Sequence, residues 1–208
     1  MTLAHAVNKY GKENVVTLTF NYGQRHSKEM EAAAKLSEHY DVEHVVFDID
    51  LWKIGGSALT DLGEKVPEFE KDEDVWKKEH VALTYVPMRN TIFISIAAAF
   101  AEVLDIAEIW TGFNFIDSGG YPDTRPEYLA MANRLLALGS AKQPVVKAPL
   151  MMSTKRQIVL DGEVLKVPWE HTWSCYEGKD TPCGKCNACV QRAKGFNEAN
   201  VKDPLLEG

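Results

Sequence analysis

Residues 172–194, TWSCYEGKDTPCGKCNACVQRAK, hold all four cysteines of the 208-residue chain, spaced C-x7-C-x2-C-x2-C at Cys175, Cys183, Cys186 and Cys189. Four thiolates complete the tetrahedron that a structural Zn²⁺ prefers, and a Cys-x-x-Cys step with Gly and Lys between its sulfurs makes a tight turn that aims both at one point. Thiols serving only as small buried hydrophobes would not share fifteen residues rich in Gly, Pro, Asp and Asn. Two disulfides would suit a secreted chain, but the start, MTLAHAVNKY, has neither the charged nor the apolar region of a secretion signal. An iron–sulfur cluster is the rival, because C-x2-C-x2-C also opens a ferredoxin-type run. That run places its fourth Cys three residues on and before a Pro, whereas here Val190 begins a helical pattern. The expectation is one closed zinc site that pins the C-terminal segment and leaves no open position for substrate.

A chain of this length with 45% hydrophobic residues can bury one sizeable core and is short for two. One α/β domain over residues 1–168 with a small zinc-binding segment over 169–208 fits. The longest apolar run, 91–104, has 14 residues, too few to span a bilayer, and reads as a buried helix. A net charge of −7 argues against a binder of nucleic-acid backbones and points to a small-molecule substrate, with neither nucleic acid nor membrane as partner. Thiols kept for metal make the cytoplasm the natural compartment.

Along the chain, Leu3, Ala6, Val7 and Tyr10 stand at helical spacing over 2–10, with Gly11 as C-cap. Residues 14–20 are short and rich in β-branched side chains, the mark of a buried strand. After the polar turn NYGQRH, Ser27 caps a helix through His39, with Glu29 and Glu31 near its positive end. Residues 44–49 read as a strand, 61–79 as a charged and mobile surface insertion, 81–86 as a strand, 91–104 as the apolar helix and 107–113 as a further strand. The loop 114–125 leads to a helix over 126–138 opened by Pro126, and 144–150 is strand-like. Ser153 and Thr154 cap a helix through Leu165 that Pro168 ends, and 187–199 closes the chain as a helix. Strands alternating with helices imply parallel crossovers and an α/β, doubly wound, mostly parallel sheet. Ligands of such sheets sit beyond the carboxyl ends of the strands, which puts the loops NYGQRH, PMRN and NFIDSGGYPDTR on one rim.

Three loops carry the candidate chemistry. Gln24, Arg25 and His26 are either anion or nucleotide contacts or a solvated helix entrance. Arg89 lies between a strand and an apolar helix, where a guanidinium wants a phosphate or carboxylate; pairing with a nearby acid is the alternative. The loop 114–125 offers Asn114, Asp117, Ser118, Tyr121, Asp123 and Arg125, enough to stack and edge-read a planar heterocycle. Its Ser118-Gly119-Gly120 is not a phosphate loop by this reading, because Pro122 and Pro126 remove backbone amides that such a nest needs. His5, His39, His44, His80 and His171 show no paired spacing and are assigned no role.

Together these stretches resemble the 7-cyano-7-deazaguanine synthases of queuosine and archaeosine precursor synthesis. The matching pieces are FNYGQRH (20–26), TYVPMRNTIFISIAAAFAE (84–102), GYPDTRPEY (120–128), APLMMSTKRQIV (148–159) and the cysteine stretch (172–196), in the family's order. The resemblance implies a branch of the ATP pyrophosphatases with an adenine nucleotide α-hydrolase-like fold, a homodimer, and one zinc on Cys175, Cys183, Cys186 and Cys189. It also implies conversion of 7-carboxy-7-deazaguanine, ammonia and ATP, the last with Mg²⁺, into the nitrile. Adenylation gives the carboxylate a leaving group, ammonia makes the amide, and a second activation permits loss to the nitrile. The protein mainly orients substrates and stabilises phosphate charge. Arg25 and Arg89 would face phosphate or carboxylate, and Tyr121, Asp123 and Arg125 would hold the deazaguanine, with Gln24 and Asn114 in the same binding loops; no residue is assigned a catalytic step.

Two departures stand out. Thr124 occupies a position where many relatives carry Cys, and the family's first strand and Ser-Gly-Gly-x-Asp-Ser phosphate loop would fall before Thr2, outside this sequence. Weak or no ATP turnover is therefore expected of these 208 residues. Two other readings stay open, a tRNA-modifying ATP pyrophosphatase and a zinc-stabilised deazapurine-binding protein without ATP chemistry.

Overall fold

The β-branched runs of the first half pair side by side in the computed structural model, which describes residues 1–70, 81–115 and 120–206. Helix α1 (Thr2–Tyr10) buries Ala4 and Ala6 and ends at Gly11, whose N–H bonds back to the Val7 carbonyl. Strand β1 (Val16–Asn21) then runs parallel to β2 (Glu43–Asp48), with Phe20 opposite Phe47 and α2 (Lys28–His39) as the crossover. Strand β3 (Glu108–Trp110) pairs in parallel with β4 (Val145–Lys147) across α4 (Pro126–Gly139). The α/β class and the parallel crossovers are as expected, although among the described residues the strands form two pairs and not one continuous sheet.

What joins the pairs is α3 (Arg89–Val103), apolar over most of its circumference, with Ile94, Ala97, Ala98 and Ala101 buried and Ser95, Ala99 and Val103 exposed on one side. One side stacks Phe93 on Phe20 of β1, ring centroids 4.0 Å apart and 13° from parallel. Another packs Ile94 and Ala98 against Val146 of β4 and Leu136 of α4. A helix that is hydrophobic over most of its surface belongs largely inside, and this one is the central element. Helix α5 (Lys155–Val164) and helix α6 (Asn187–Ala199) close over α1, with Ala4, Val159, Val167, Trp169 and Phe196 in one cluster. The start of α5 is a full capping box: Gln157 N–H donates to Thr154 Oγ1 at 3.1 Å and Thr154 N–H to Gln157 Oε1 at 2.8 Å. No helix among the described residues is long and apolar enough to cross a membrane.

Three local expectations are corrected. Residues 81–86 are a turn: Ala82 N–H donates to Gly120 O and Ala58 N–H to Leu83 O, so their backbone groups are bonded by loops and no strand neighbour is used. Ser27 sits at the start of α2 but caps nothing, because its hydroxyl donates to Glu31 Oε1 at 2.6 Å. Of the expected insertion at 61–79, residues 61–65 are exposed as a surface segment would be, but the chain is then anchored: Val66 is buried, and Phe69 N–H donates to Lys185 O at 2.8 Å. The rest, 71–79, lies outside the described residues.

Strand β4 bonds β3 through Val145 N–H and Lys147 O, which leaves the N–H and C=O of Val146 on its other edge. Asn133 of α4 fills that edge as a strand would, accepting from Val146 N–H at 2.7 Å and donating to Val146 O at 3.0 Å. Val146 is only 2% exposed, so water cannot replace the amide. Asn133→Ala is expected to lower unfolding free energy by about 1–3 kcal/mol in urea titration, and a loss under about 0.5 kcal/mol would show that the edge does not depend on it.

Candidate functional site

The segment after α5 folds around its own sulfurs. The four Sγ atoms of Cys175, Cys183, Cys186 and Cys189 all lie within 4.8 Å of one another, and all four thiols are free. Cys183 Sγ and Cys189 Sγ are 3.9 Å apart; sulfurs about 2.3 Å from one zinc stand about 3.8 Å apart at the corners of a tetrahedron. Backbone donors aim at these sulfurs. Cys183 and Glu177 N–H approach Cys175 Sγ at 3.3 and 3.4 Å, and Cys186 and Lys185 N–H approach Cys183 Sγ at 3.3 and 3.4 Å. The knuckle that arranges this turns on Gly184, at φ 73°.

Such donors favour thiolates, yet four thiolates this close repel. The hydrogen bond between Cys186 and Cys189 accordingly draws the Cys186 thiol down to about 5 and pushes Cys189 well up. A divalent cation would let all four ionise, so the residues fit a metal ion held entirely by protein ligands. Val66 and Trp173 pack on the cluster, and Glu68 bridges to Cys186, so the site is covered from outside.

Beside the cluster opens a cavity of about 630 Å³. Its walls come from β1 and the turn after it (Phe20, Tyr22, Gln24), from α2 (Glu29), from the start of α3 (Arg89, Asn90, Phe93) and from the cysteine segment and α6 (Tyr176, Asn187). The cysteine segment closes onto the turn before α2 at Gly178, φ 63°, where a Cβ would lie 1.9 Å from His26 Cγ. Tyr176, next to Cys175, reaches the cavity and joins Tyr121 OH at 3.3 Å, and Tyr121 OH in turn bonds Thr84 Oγ1. The cysteine cluster thus holds part of the cavity wall.

Of the loop residues singled out from the sequence, Gln24, Arg89 and Tyr121 line this cavity; Arg25, Asn114, Asp123 and Arg125 do not. The Arg89 guanidinium lies 5.7 Å from the Tyr22 ring centre and donates to Tyr22 OH at 3.4 Å. Gln24 folds back on β1, accepting from Tyr22 N–H at 2.8 Å. Arg25 instead organises the loop after β2, its Nη1 donating to Ala58 O at 2.8 Å and Glu64 O at 2.6 Å. Asn114, 2% exposed, ties the loops after β3 and β4 together through Leu150 O and Ser153 O. Asp123, 5% exposed, caps α3, its carboxylate accepting from Asn90 N–H at 3.3 Å; burial raises its pKa, and that bond opposes the rise. Arg125 is exposed at the start of α4, and Asp117 and Ser118 lie outside the described residues.

Residues 1–200 match the family described as queuosine biosynthesis protein QueC. The chain belongs to that family. It is 45% identical over 207 residues to the 7-cyano-7-deazaguanine synthase of Thermoplasma acidophilum, covering 98% of this chain and 84% of that one. The 7-cyano-7-deazaguanine synthase of Trichodesmium erythraeum is 40% identical over 195 residues, 91% of this chain and 87% of that one. Among solved structures, the U34-tRNA thiolase NcsA from Methanococcus maripaludis with its 4Fe–4S cluster superposes with a TM-score of 0.48 at 15% identity, over 96% of this chain and 60% of that one. That likeness is too slight to bear on function.

In this QueC-family chain the sequence reading passed over Tyr22, Glu29 and Tyr176, all on the cavity wall. Glu29 read only as a favourable charge in the first turn of a helix. Its proximity in sequence to the Gln24 loop was the available signal, since a helix that starts at a strand's carboxyl end presents its first turn to the same rim.

Cys186→Ser is expected to lower bound metal below one ion per chain by plasma mass spectrometry and to drop the melting temperature by calorimetry, because the ligand set and the packing of Val66 go together. A variant that keeps the wild-type melt would show the cluster to be dispensable for the fold.

Proposed function

We propose that this chain converts 7-carboxy-7-deazaguanine, ammonia and ATP into 7-cyano-7-deazaguanine, with the cavity beside the cysteine cluster as the place where the deazaguanine is held. The observation that carries the reading is Arg89, a guanidinium on the wall of a mixed polar and aromatic cavity beside Tyr22, Phe93 and Tyr121, in a chain of the QueC family. A half-buried guanidinium satisfied by one long bond to a tyrosine retains donors for a carboxylate or a phosphate. Tyr121 and Tyr22 offer ring surface for the heterocycle.

The chemistry needs two activations, because a carboxylate and then an amide must each lose oxygen. Attack of the 7-carboxylate on the α-phosphorus of ATP, which travels with Mg²⁺, releases pyrophosphate and forms an acyl adenylate. Ammonia displaces AMP to give the amide, and the proton it sheds goes to solvent. A second ATP activates the amide oxygen in the same way, and loss of AMP with the remaining N–H protons leaves the nitrile. Arg89 would lower the cost of bringing anionic carboxylate and phosphate together, a role in which one such donor is worth about 10²–10³ in rate.

The cofactor in this reading is one zinc on Cys175, Cys183, Cys186 and Cys189, structural because the protein supplies every ligand. It divides the chain functionally into residues 1–168, which carry the cavity's strands and α3, and 169–208, which seal one wall. Asp123 acts by fixing the start of α3, and Arg25 and Asn114 by fixing loops. The working form is a cytoplasmic homodimer with no nucleic-acid partner.

Calorimetry with 7-carboxy-7-deazaguanine tests the reading. Wild type should bind it, and Arg89→Ala should weaken binding by about 10- to 100-fold through loss of a charge-assisted pair. Turnover by these 208 residues is expected to be weak, and whatever nitrile forms, followed by mass, should be accompanied by two AMP for each nitrile. A wild-type chain that does not bind the carboxy-deazaguanine would overturn the assignment.

A further inference from the structure

The substrate has two different ends. At the 7-position it carries an anion that wants donors. At the pyrimidine edge, N1–H and the 2-amino group point two parallel donors outward, and the partner that matches them is an ionised carboxylate, which has two oxygens and only accepts.

Among the described residues, one acidic side chain lines the cavity, Glu29. Asp123, the acid that the sequence brought forward, is committed to Asn90 at the start of α3. Glu29 lies in the first turn of α2, where the helix's positive end favours a negative charge, and this turn directly follows the loop carrying Gln24. Unlike Asp203, which grips Arg192, or Asp41, which pairs with Lys12, the Glu29 carboxylate makes no hydrogen bond or ion pair among the described residues. Across the cavity stands Arg89. The two charges bias each other, yet no ion pair closes between them. Burial pushes the Glu29 carboxyl up, and His26 and Arg89 pull it back only in part. An acid held in a low-dielectric wall without a partner is costly, and a ligand that brings two donors relieves that cost.

The same cavity wall carries Tyr22 and Phe93, ring centroids 5.6 Å apart, with Phe20 stacked on Phe93. A flat heterocycle lying along these rings would reach an acid at one end and a guanidinium at the other. We propose that Glu29 reads the 2-amino-4-oxopyrimidine edge of the substrate, accepting from N1–H and from the 2-amino group, while Arg89 takes the 7-carboxylate. The assignment rests on the deazaguanine reading above. It makes Glu29 the residue that selects a guanine-type base over a hypoxanthine-type or adenine-type one, neither of which presents both donors.

The test pairs one substitution with one analogue, 7-carboxy-7-deazahypoxanthine, which lacks only the 2-amino group. Wild type should bind it about 100-fold more weakly than the guanine form, because one oxygen of a buried carboxylate is left without a donor. Glu29→Gln presents a donor where the substrate also has one. It should therefore bind the guanine form about 100-fold more weakly than wild type and distinguish the two ligands by about 3-fold or less. The substitution removes a buried charge, so its melting temperature should not fall.

Equal binding of both ligands by wild type would overturn the proposal without using the variant. Equal weakening of both ligands by Glu29→Gln, with the ratio kept, would mean that Glu29 shapes the wall and reads no edge. Unchanged affinity with a loss confined to turnover would make it a proton carrier and equally overturn the proposal. Failure of wild type to bind the carboxy-deazaguanine at all is a different result, and it would remove the functional reading itself.

Discussion

The face-to-face contact between Phe20 and Phe93 does for this molecule what strand hydrogen bonds do for a continuous sheet. Among the described residues β1 and β2 share no ladder with β3 and β4, so the two pairs are held in register by the helix between them. Ile94 and Ala98 fix α3 to β4 while Phe93 fixes it to β1. Packing of this kind is not directional in the way a ladder is, and it works here because α3 offers apolar side chains to both strand pairs. The cavity inherits the arrangement. Arg89 projects from the first residue of α3, Asp123 anchors that same end, and Phe93 lies one turn further in.

The cysteine cluster enters the same site from the other direction. Its neighbours Tyr176 and Asn187 line the cavity, and Tyr176 reaches Tyr121, whose hydroxyl continues to Thr84. The 64–69 segment that covers the sulfurs runs on from the loop Arg25 holds by its carbonyls. A cluster with no open coordination position can thus govern a binding site through the residues beside it in sequence.

Much of the fold was legible because its signals were local. The helix cap at Thr154, the bounds of α6, the strand read at 14–20 and found at 16–21, and the cysteine spacing each announce themselves within a few residues. What was not legible depended on partners far away in sequence. Residues 81–86 look like a strand, but Ala82 and Leu83 find backbone partners at Gly120 and Ala58. Asp123 and Arg25 look like ligand contacts because they are charged and sit in loops. The structure adds what the sequence could not show, that Asp123 accepts from the Asn90 amide of α3 and Arg25 donates to carbonyls of its neighbouring loop. Glu29 presented the reverse problem: on a helical wheel it is an ordinary charge, and only the position of α2 against α3 turns it toward a cavity.

The ion pair between Arg192 and Asp203 has a consequence for the ligand as well as for the fold. Arg192 stands on the cavity wall, and the two oxygens of Asp203 grip its guanidinium at 2.6 and 2.7 Å, with both side chains at least nine-tenths buried. The chain's last turns therefore act as a fixed counter-ion. They neutralise one of the three cationic side chains that line the cavity among the described residues, the others being Arg89 at the head of α3 and Lys155 at the start of α5. In the proposed binding mode, the orientation of a substrate with a charge at only one end would depend partly on a carboxylate that does not itself line the cavity.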